Sequence, residues 1–201
     1  VNLIAVILGY YEFDLLERIR DGGIYCYQEA EFNDLIVGVI GILQSGLYIV
    51  SIVLFLNWFR RAYGNLHRIP VINLEYSETM AVWSFCIPIV SLYRPYKITK
   101  EIVKKTRNIL TEILPEYKSA SKQTILEFWL ALFLIANYVG QFALKSIFKD
   151  DTIEQMITST QAYMVSDFLD IIAAILTLMM IKQISQDETL LFEKINTGDN
   201  S

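Results

Sequence analysis

One stretch of this chain constrains its fold more than any other. Residues 35–56 run for 22 positions without a charged side chain. The hydrocarbon core of a bilayer is about 30 Å thick, and a helix rising about 1.5 Å per residue needs roughly 20 apolar residues to cross it. The run meets that requirement. Its polar side chains are few: Gln44, Ser45, Ser51 and the hydroxyl of Tyr48. Gly38, Gly41 and Gly46 are small residues of the kind that let helices approach closely in lipid. Trp58 stands at its end, where aromatic belts lie, and Arg60 and Arg61 follow.

Other segments extend the membrane reading. Residues 125–144, with Trp129 near the start, and 163–181, ended by Lys182, are further spans. Residues 1–11 are apolar but short and read as the end of a first span; the chain begins with Val1 rather than Met. No small-residue cleavage site follows that run, so no cleavable signal peptide is expected. Residues 14–34 are polar and acidic, with Gly22-Gly23 as a breaker and only a short amphipathic turn at Leu15, Leu16 and Ile19. Composition agrees: 54% of the chain is hydrophobic and 19% charged, against about 25% charged in a soluble domain.

Residues 79–93 are apolar too, but number 15 and are interrupted by Pro88. A helix of that length reaches roughly 22 Å, short of the core. A re-entrant or interfacial segment is expected there, tolerated where protein covers its backbone. The tail 183–201 is polar, with disordered final residues expected. The predicted fold class is all-α integral membrane. It is a four-helix transmembrane bundle, with the re-entrant segment and a basic amphipathic surface helix between spans two and three.

Charge sorting orients this arrangement. Between Arg60 and Lys122 lie eleven basic residues, and Lys182 and Lys194 bring that side to thirteen. The opposite side holds Arg18, Arg20, Lys145 and Lys149. By the positive-inside rule both termini are expected in the cytoplasm. A five-span arrangement divides the same charges twelve to five, so charge hardly separates the two; the shortness of 79–93 favours four.

Residues 96–114 carry Ile98, Ile102, Ile109 and Ile113 at helical spacing, widened by Val103, Leu110 and Leu114. Lys97, Lys100, Lys104, Lys105 and Arg107 supply the other face, and Pro115 ends the segment. This pattern predicts a helix on the inner leaflet, held by anionic headgroups. The interleaved isoleucines favour lipid over nucleic acid.

Two motifs flank the short segment. The first is Trp58-Phe59-Arg60-Arg61-Ala62-Tyr63-Gly64-Asn65-Leu66; the second runs from Ala81 through Pro88 and Ser91-Leu92-Tyr93 to Arg94-Pro95-Tyr96. Together they resemble the core of a bacterial membrane family known as domain of unknown function 4328. Arg61, Ala62, Tyr63, Asn65 and Leu66 match its first motif, and Pro88, Leu92, Arg94, Pro95 and Tyr96 its second. Ser91 stands where that family usually carries Asn. The resemblance covers 35 to about 181 and implies a multi-span membrane protein; it implies no activity.

Physically, Arg60, Arg61, Asn65, Arg94 and Tyr96 read as a folded cap whose polar groups satisfy carbonyls freed by Pro88 and Pro95. The functional alternative is a site for an anionic lipid headgroup or phosphate, since arginine offers a bidentate fork. A second candidate lies in the membrane. Asp167 and Asp170 share a helix face, as do Asn137 and Gln141 on the preceding span. Carboxylates there face a partner or a water-filled cavity, so the set reads as a polar helix contact or an ion pathway.

Enzyme chemistry has little support. His67 is the only imidazole, Cys26 and Cys86 lie far apart, and no phosphate loop, triad order or metal motif is present. No cofactor or metal is expected. A hydrolase on Ser84 or Cys86 with His67 is the weakest reading. The expected function is an accessory or scaffold subunit with a protein partner or a second copy of itself. The alternative is an oligomeric pore or permeability effector of a bacterial stress or defence system.

Overall fold

A computed structural model of the chain describes residues 1–24, 26–69, 72–87, 89–118, 123–147 and 152–198. Pro88, Lys122, Lys149 and the last three residues of the tail, on which parts of the sequence reading rest, lie outside the described residues. The described residues form six α-helices and no strand: α1 (Asn2–Arg20), α2 (Tyr27–His67), α3 (Glu78–Cys86), α4 (Arg94–Ile113), α5 (Gln123–Ile147) and α6 (Ile153–Gly198), with a 3-10 turn at Val90–Leu92. Three of these, α2, α5 and α6, are long and apolar enough to cross a membrane.

Helix ends follow local chemistry. Past α1, Gly22 takes φ +72°, and the amides of Gly22 and Gly23 donate back to the carbonyls of Ile19 and Arg18. This is the glycine-closed end that left-handed backbone permits, and it confirms the breaker. Helix α1 nevertheless runs through Arg20 and buries Leu15 and Leu16, so the segment after residue 11 is more helical than its polarity suggests. Ser77 caps α3 by accepting from the Met80 amide. Pro95 sits in the first turn of α4, where a missing N–H costs nothing. The expected freed carbonyl does not arise there. At the other end Leu114 leaves the helical conformation, with φ −131° and ψ 87°, before Pro115.

Two helices outrun their predicted spans. At 41 and 46 residues, α2 and α6 reach about 60 and 70 Å, twice the hydrocarbon thickness. The predicted tail from 183 is largely the continuation of α6. Ile184, Asp187 and Leu191 bury one face of it, at i, i+3 and i+7, the spacing that sustains a packed helix.

The chain divides into two compact units, Val1–Ser51 with Leu132–Ile175, and Ile52–Ala131 with Leu176–Ser201. The first unit has a membrane-like interior. Ser159, Thr160, Ser166 and Asp167 are buried beside Ala136, Ala143 and Ile157. Small residues set its close contacts: a Cβ on Gly9 would lie 2.7 Å from Met164, and one on Gly140 3.5 Å from the Ser166 hydroxyl. Small and hydroxyl side chains are what pack helices where lipid removes the hydrophobic drive.

The second unit has a larger and more aromatic core. Phe59, Tyr63, Leu66, Ala81, Ile98, Ile102, Leu126, Trp129, Met180 and Ile184 form one buried cluster. Phe55 stacks on Phe59 and meets Phe85 edge-on. Trp58 donates to the Ser185 hydroxyl at 3.2 Å and Trp129 to that of Thr177 at 3.0 Å. Part of the apolar stripe of α4, Ile98, Ile102 and Val103, belongs to this cluster, and Leu110 is also buried. That part is covered by protein, which satisfies the same hydrophobic demand as lipid, whereas Ile113 stays exposed. Lys97, Lys100, Lys104 and Arg107 remain exposed on the opposite face.

Candidate functional site

The second unit gathers part of the predicted basic site. Asn57, Arg60, Arg61, Gly64, Asn65, Arg68 and Glu78 line a cavity of about 250 Å³. Asn57, Arg60, Arg61, Gly64 and Asn65 come from the last three turns of α2, where spacings of three, four and seven place them on one face, and Arg68 follows directly after the helix. Glu78, in the first turn of α3, closes the other side. Its carboxylate stands 4.0 Å from Arg60. A Cβ on Gly64 would lie 2.9 Å from the Glu78 carboxyl carbon, so glycine is what lets this carboxylate lie against the helix. Asn65 donates to Glu188.

Arg94 and Tyr96 are not part of this cavity. The Arg94 guanidinium lies over the Tyr76 ring, 5.5 Å from its centroid, and donates to the Met80 sulfur at 3.4 Å. Its Nε is buried without a hydrogen-bond partner. Tyr96 packs against the core cluster, with the Lys100 ammonium 5.6 Å above its ring. These two residues fasten the α3–α4 connection. Asn65 bonds a carboxylate and Arg94 an aromatic face; the expected cap on carbonyls freed by Pro88 falls on a residue outside the described ones.

Between the α2–α3 connection and α4 lies a polar clasp that the sequence reading missed. The buried Tyr63 hydroxyl donates to Glu101 at 2.8 Å and accepts from the Tyr76 amide at 3.0 Å, while Glu101 also accepts from the Glu75 amide at 2.9 Å. Tyr63 lies beyond the uncharged run of α2 and past its two arginines. Burial and the Glu101 carboxylate push its phenol well above the ordinary tyrosine range, so the hydroxyl stays a donor. Likewise Tyr117 donates to the buried Asp187.

The first unit holds the other candidate. Ala5, Leu8, Gly9 and Glu12 of α1, residues from Val37 to Gln44 of α2, and residues from Met156 to Asp167 of α6 line a second cavity of about 250 Å³. Asp167 is 9% exposed and accepts a hydrogen bond from Gln44. Ser159, Thr160 and Tyr163 add hydroxyls to the lining. Asp170, Asn137 and Gln141 do not line it. The Asn137 amide bonds the Phe133 carbonyl of its own helix, and Gln141 is exposed. Glu12 and Gln44 replace them as companions of Asp167. Only the three-residue spacing of Gly41 and Gln44 on α2 hints at this in the sequence.

Hydrolase chemistry finds no assembled site among the described residues. The buried Ser84 hydroxyl donates to the Ala81 carbonyl at 2.6 Å, and the His67 ring contacts the Tyr63 carbonyl. No group of three or more histidine, cysteine or acidic residues suited to a metal occurs among them.

Fold and sites thus define an all-helical protein with three membrane-length apolar helices, a polar cavity in one unit and a basic cavity in the other. The family model described as domain of unknown function (DUF4328) matches residues 24–186. The chain belongs to that family, as its two motifs indicate. Neither the curated proteins nor the solved structures contain a match.

Proposed function

We propose that this chain is an accessory or scaffold subunit of the bacterial inner membrane, which displays a folded basic cap to a partner protein in the cytoplasm. In this reading it crosses the bilayer four times, by α1, α2, α5 and α6, with both termini in the cytoplasm. The observation that carries it is the second unit. It has a buried core, and Lys97, Lys100 and Lys104 face outward along α4. A firmly packed unit with a basic face is suited to holding another molecule.

The segment 79–93 is a shallow interfacial piece in this arrangement. Trp83, Ile87, Ile89, Leu92 and Tyr93 are exposed. Such a patch, on a nine-residue helix and a 3-10 turn, suits the headgroup boundary. None of the best apolar stretch of α2 is buried by the rest of the chain, which leaves it for lipid, a second copy or a partner helix. Affinity purification in mild detergent tests the proposal. One constant protein partner in fixed ratio is expected; a partner-free monomer contradicts it.

The lined cavity around Asp167 favours a second reading, a permeability effector. Buried carboxylates within a membrane are costly and mark ion or proton routes. Proteoliposomes would then show cation flux that Asp167→Asn abolishes. No flux above empty liposomes removes this reading.

A further inference from the structure

We propose that the arginine-lined cavity at the end of α2 binds a phosphate group, in the form of an anionic phospholipid headgroup or a free phosphate ester. The inference goes beyond the accessory role and does not depend on which partner the cap holds. Three guanidiniums, those of Arg60, Arg61 and Arg68, line the cavity against the single carboxylate of Glu78. Counting formal charges, three positive and one negative leave +2 to be balanced. Glu188, which accepts from Asn65, is not among the lining residues.

The one ion pair in the cavity is long, 4.0 Å from Arg60 to Glu78. Among the described residues neither Arg61 nor Arg68 forms an ion pair. Their forks are therefore available to an anion, and paired N–H groups match phosphate oxygens in geometry as well as charge. About 250 Å³ holds a phosphate together with several waters, each occupying about 30 Å³. The lining begins at Asn57, directly after the uncharged run, and its first arginine, Arg60, follows one turn later; a basic cluster next to a span suits the zone of lipid phosphates. Glu78 acts as an internal competitor for the same guanidiniums.

The test is native mass spectrometry of the full chain in neutral detergent, titrated with phosphatidylglycerol or phosphatidylcholine, and separately with glycerol 3-phosphate. Phosphatidylglycerol is expected to bind at least about tenfold more tightly than phosphatidylcholine. Removing two charge-assisted contacts in Arg61→Gln/Arg68→Gln should erase that preference. Lys100→Gln/Lys104→Gln, an equal loss of charge on α4, should preserve it. Glu78→Gln should strengthen binding several-fold, a gain that misfolding cannot imitate. If glycerol 3-phosphate binds with the same arginine and glutamate dependence and the lipid shows no preference, the source is a free phosphate ester. The proposal is overturned if neither ligand binds better than phosphatidylcholine. It is equally overturned if the lysine pair matters as much as the arginine pair, or if Glu78→Gln weakens binding.

Discussion

Tyr63→Phe isolates one oxygen atom in an otherwise unchanged core. The ring is fully buried, so the substitution keeps its packing. It removes the bond to Glu101 and leaves the Tyr76 amide without its acceptor. A hydrogen bond to a charged group contributes about 1.5–3 kcal/mol, and an abandoned buried donor costs about 1–3 kcal/mol. Glu101 is only partly buried and Glu75 exposed, so water recovers part of this, leaving about 2–3 kcal/mol. For a chain of this length the midpoint falls about 2–4 °C per kcal/mol, or roughly 4–12 °C in all. Trp58, Trp83 and Trp129 all lie in the second unit, so tryptophan fluorescence on heating in detergent reports on the region perturbed. Tyr93→Phe, on an exposed ring, is the control and should shift the midpoint by about 1 °C or less. Combining Tyr63→Phe with Glu101→Gln should cost about 1 kcal/mol less than the sum of the two, because they share one bond. If Tyr63→Phe behaves like Tyr93→Phe, the clasp does not hold the cap and the reasoning fails.

Other substitutions follow from the packing. Ile102→Ala should destabilise the second unit by about 2–5 kcal/mol in thermal unfolding, whereas Lys104→Ala, on the exposed face of the same helix, should stay within about 0.5 kcal/mol. Gly9→Val should cost about 1–3 kcal/mol through overpacking against Met164, while Gly9→Ala, which adds one carbon against the Met164 Cγ, costs less; both are read from melting in detergent. Asp167→Asn keeps a polar partner for Gln44 and removes a buried charge. It should leave the protein at least as stable and raise its membrane insertion, by at most the 2.5–3.5 kcal/mol assigned to a central carboxylate, measured as the inserted fraction in a translocation assay.

The features legible in the sequence were those written into one helix. The uncharged run 35–56 announced α2, and the neighbouring Arg60, Arg61 and Asn65 stayed together because a single helix carries them. Of the α4 isoleucines, Ile98 and Ile102 are buried while Ile113 is exposed; periodicity marks a face but does not say whether lipid or protein covers it. Arg94 and Tyr96 sat near the other site residues in motif but not in space, since the Tyr76 ring and the core captured them. Asp167 finds Gln44 at a separation of 123 residues, a pairing that no local pattern encodes. The continuation of α6 was overlooked because its charges masked Ile184 and Leu191, whose spacing was helical throughout.

Side-specific labelling tests the central claim most directly: a membrane-embedded chain with its basic cap in the cytoplasm. Cys26, exposed between α1 and α2, is read in a Cys86→Ser background, and Lys104→Cys on the outer face of α4 in a Cys26→Ser/Cys86→Ser background. A membrane-impermeant maleimide is then applied to spheroplasts before and after lysis. The account predicts that Cys26 reacts in intact spheroplasts and that Lys104→Cys reacts only after lysis. Labelling of Lys104→Cys in intact spheroplasts, or protection of Cys26 until lysis, would contradict it.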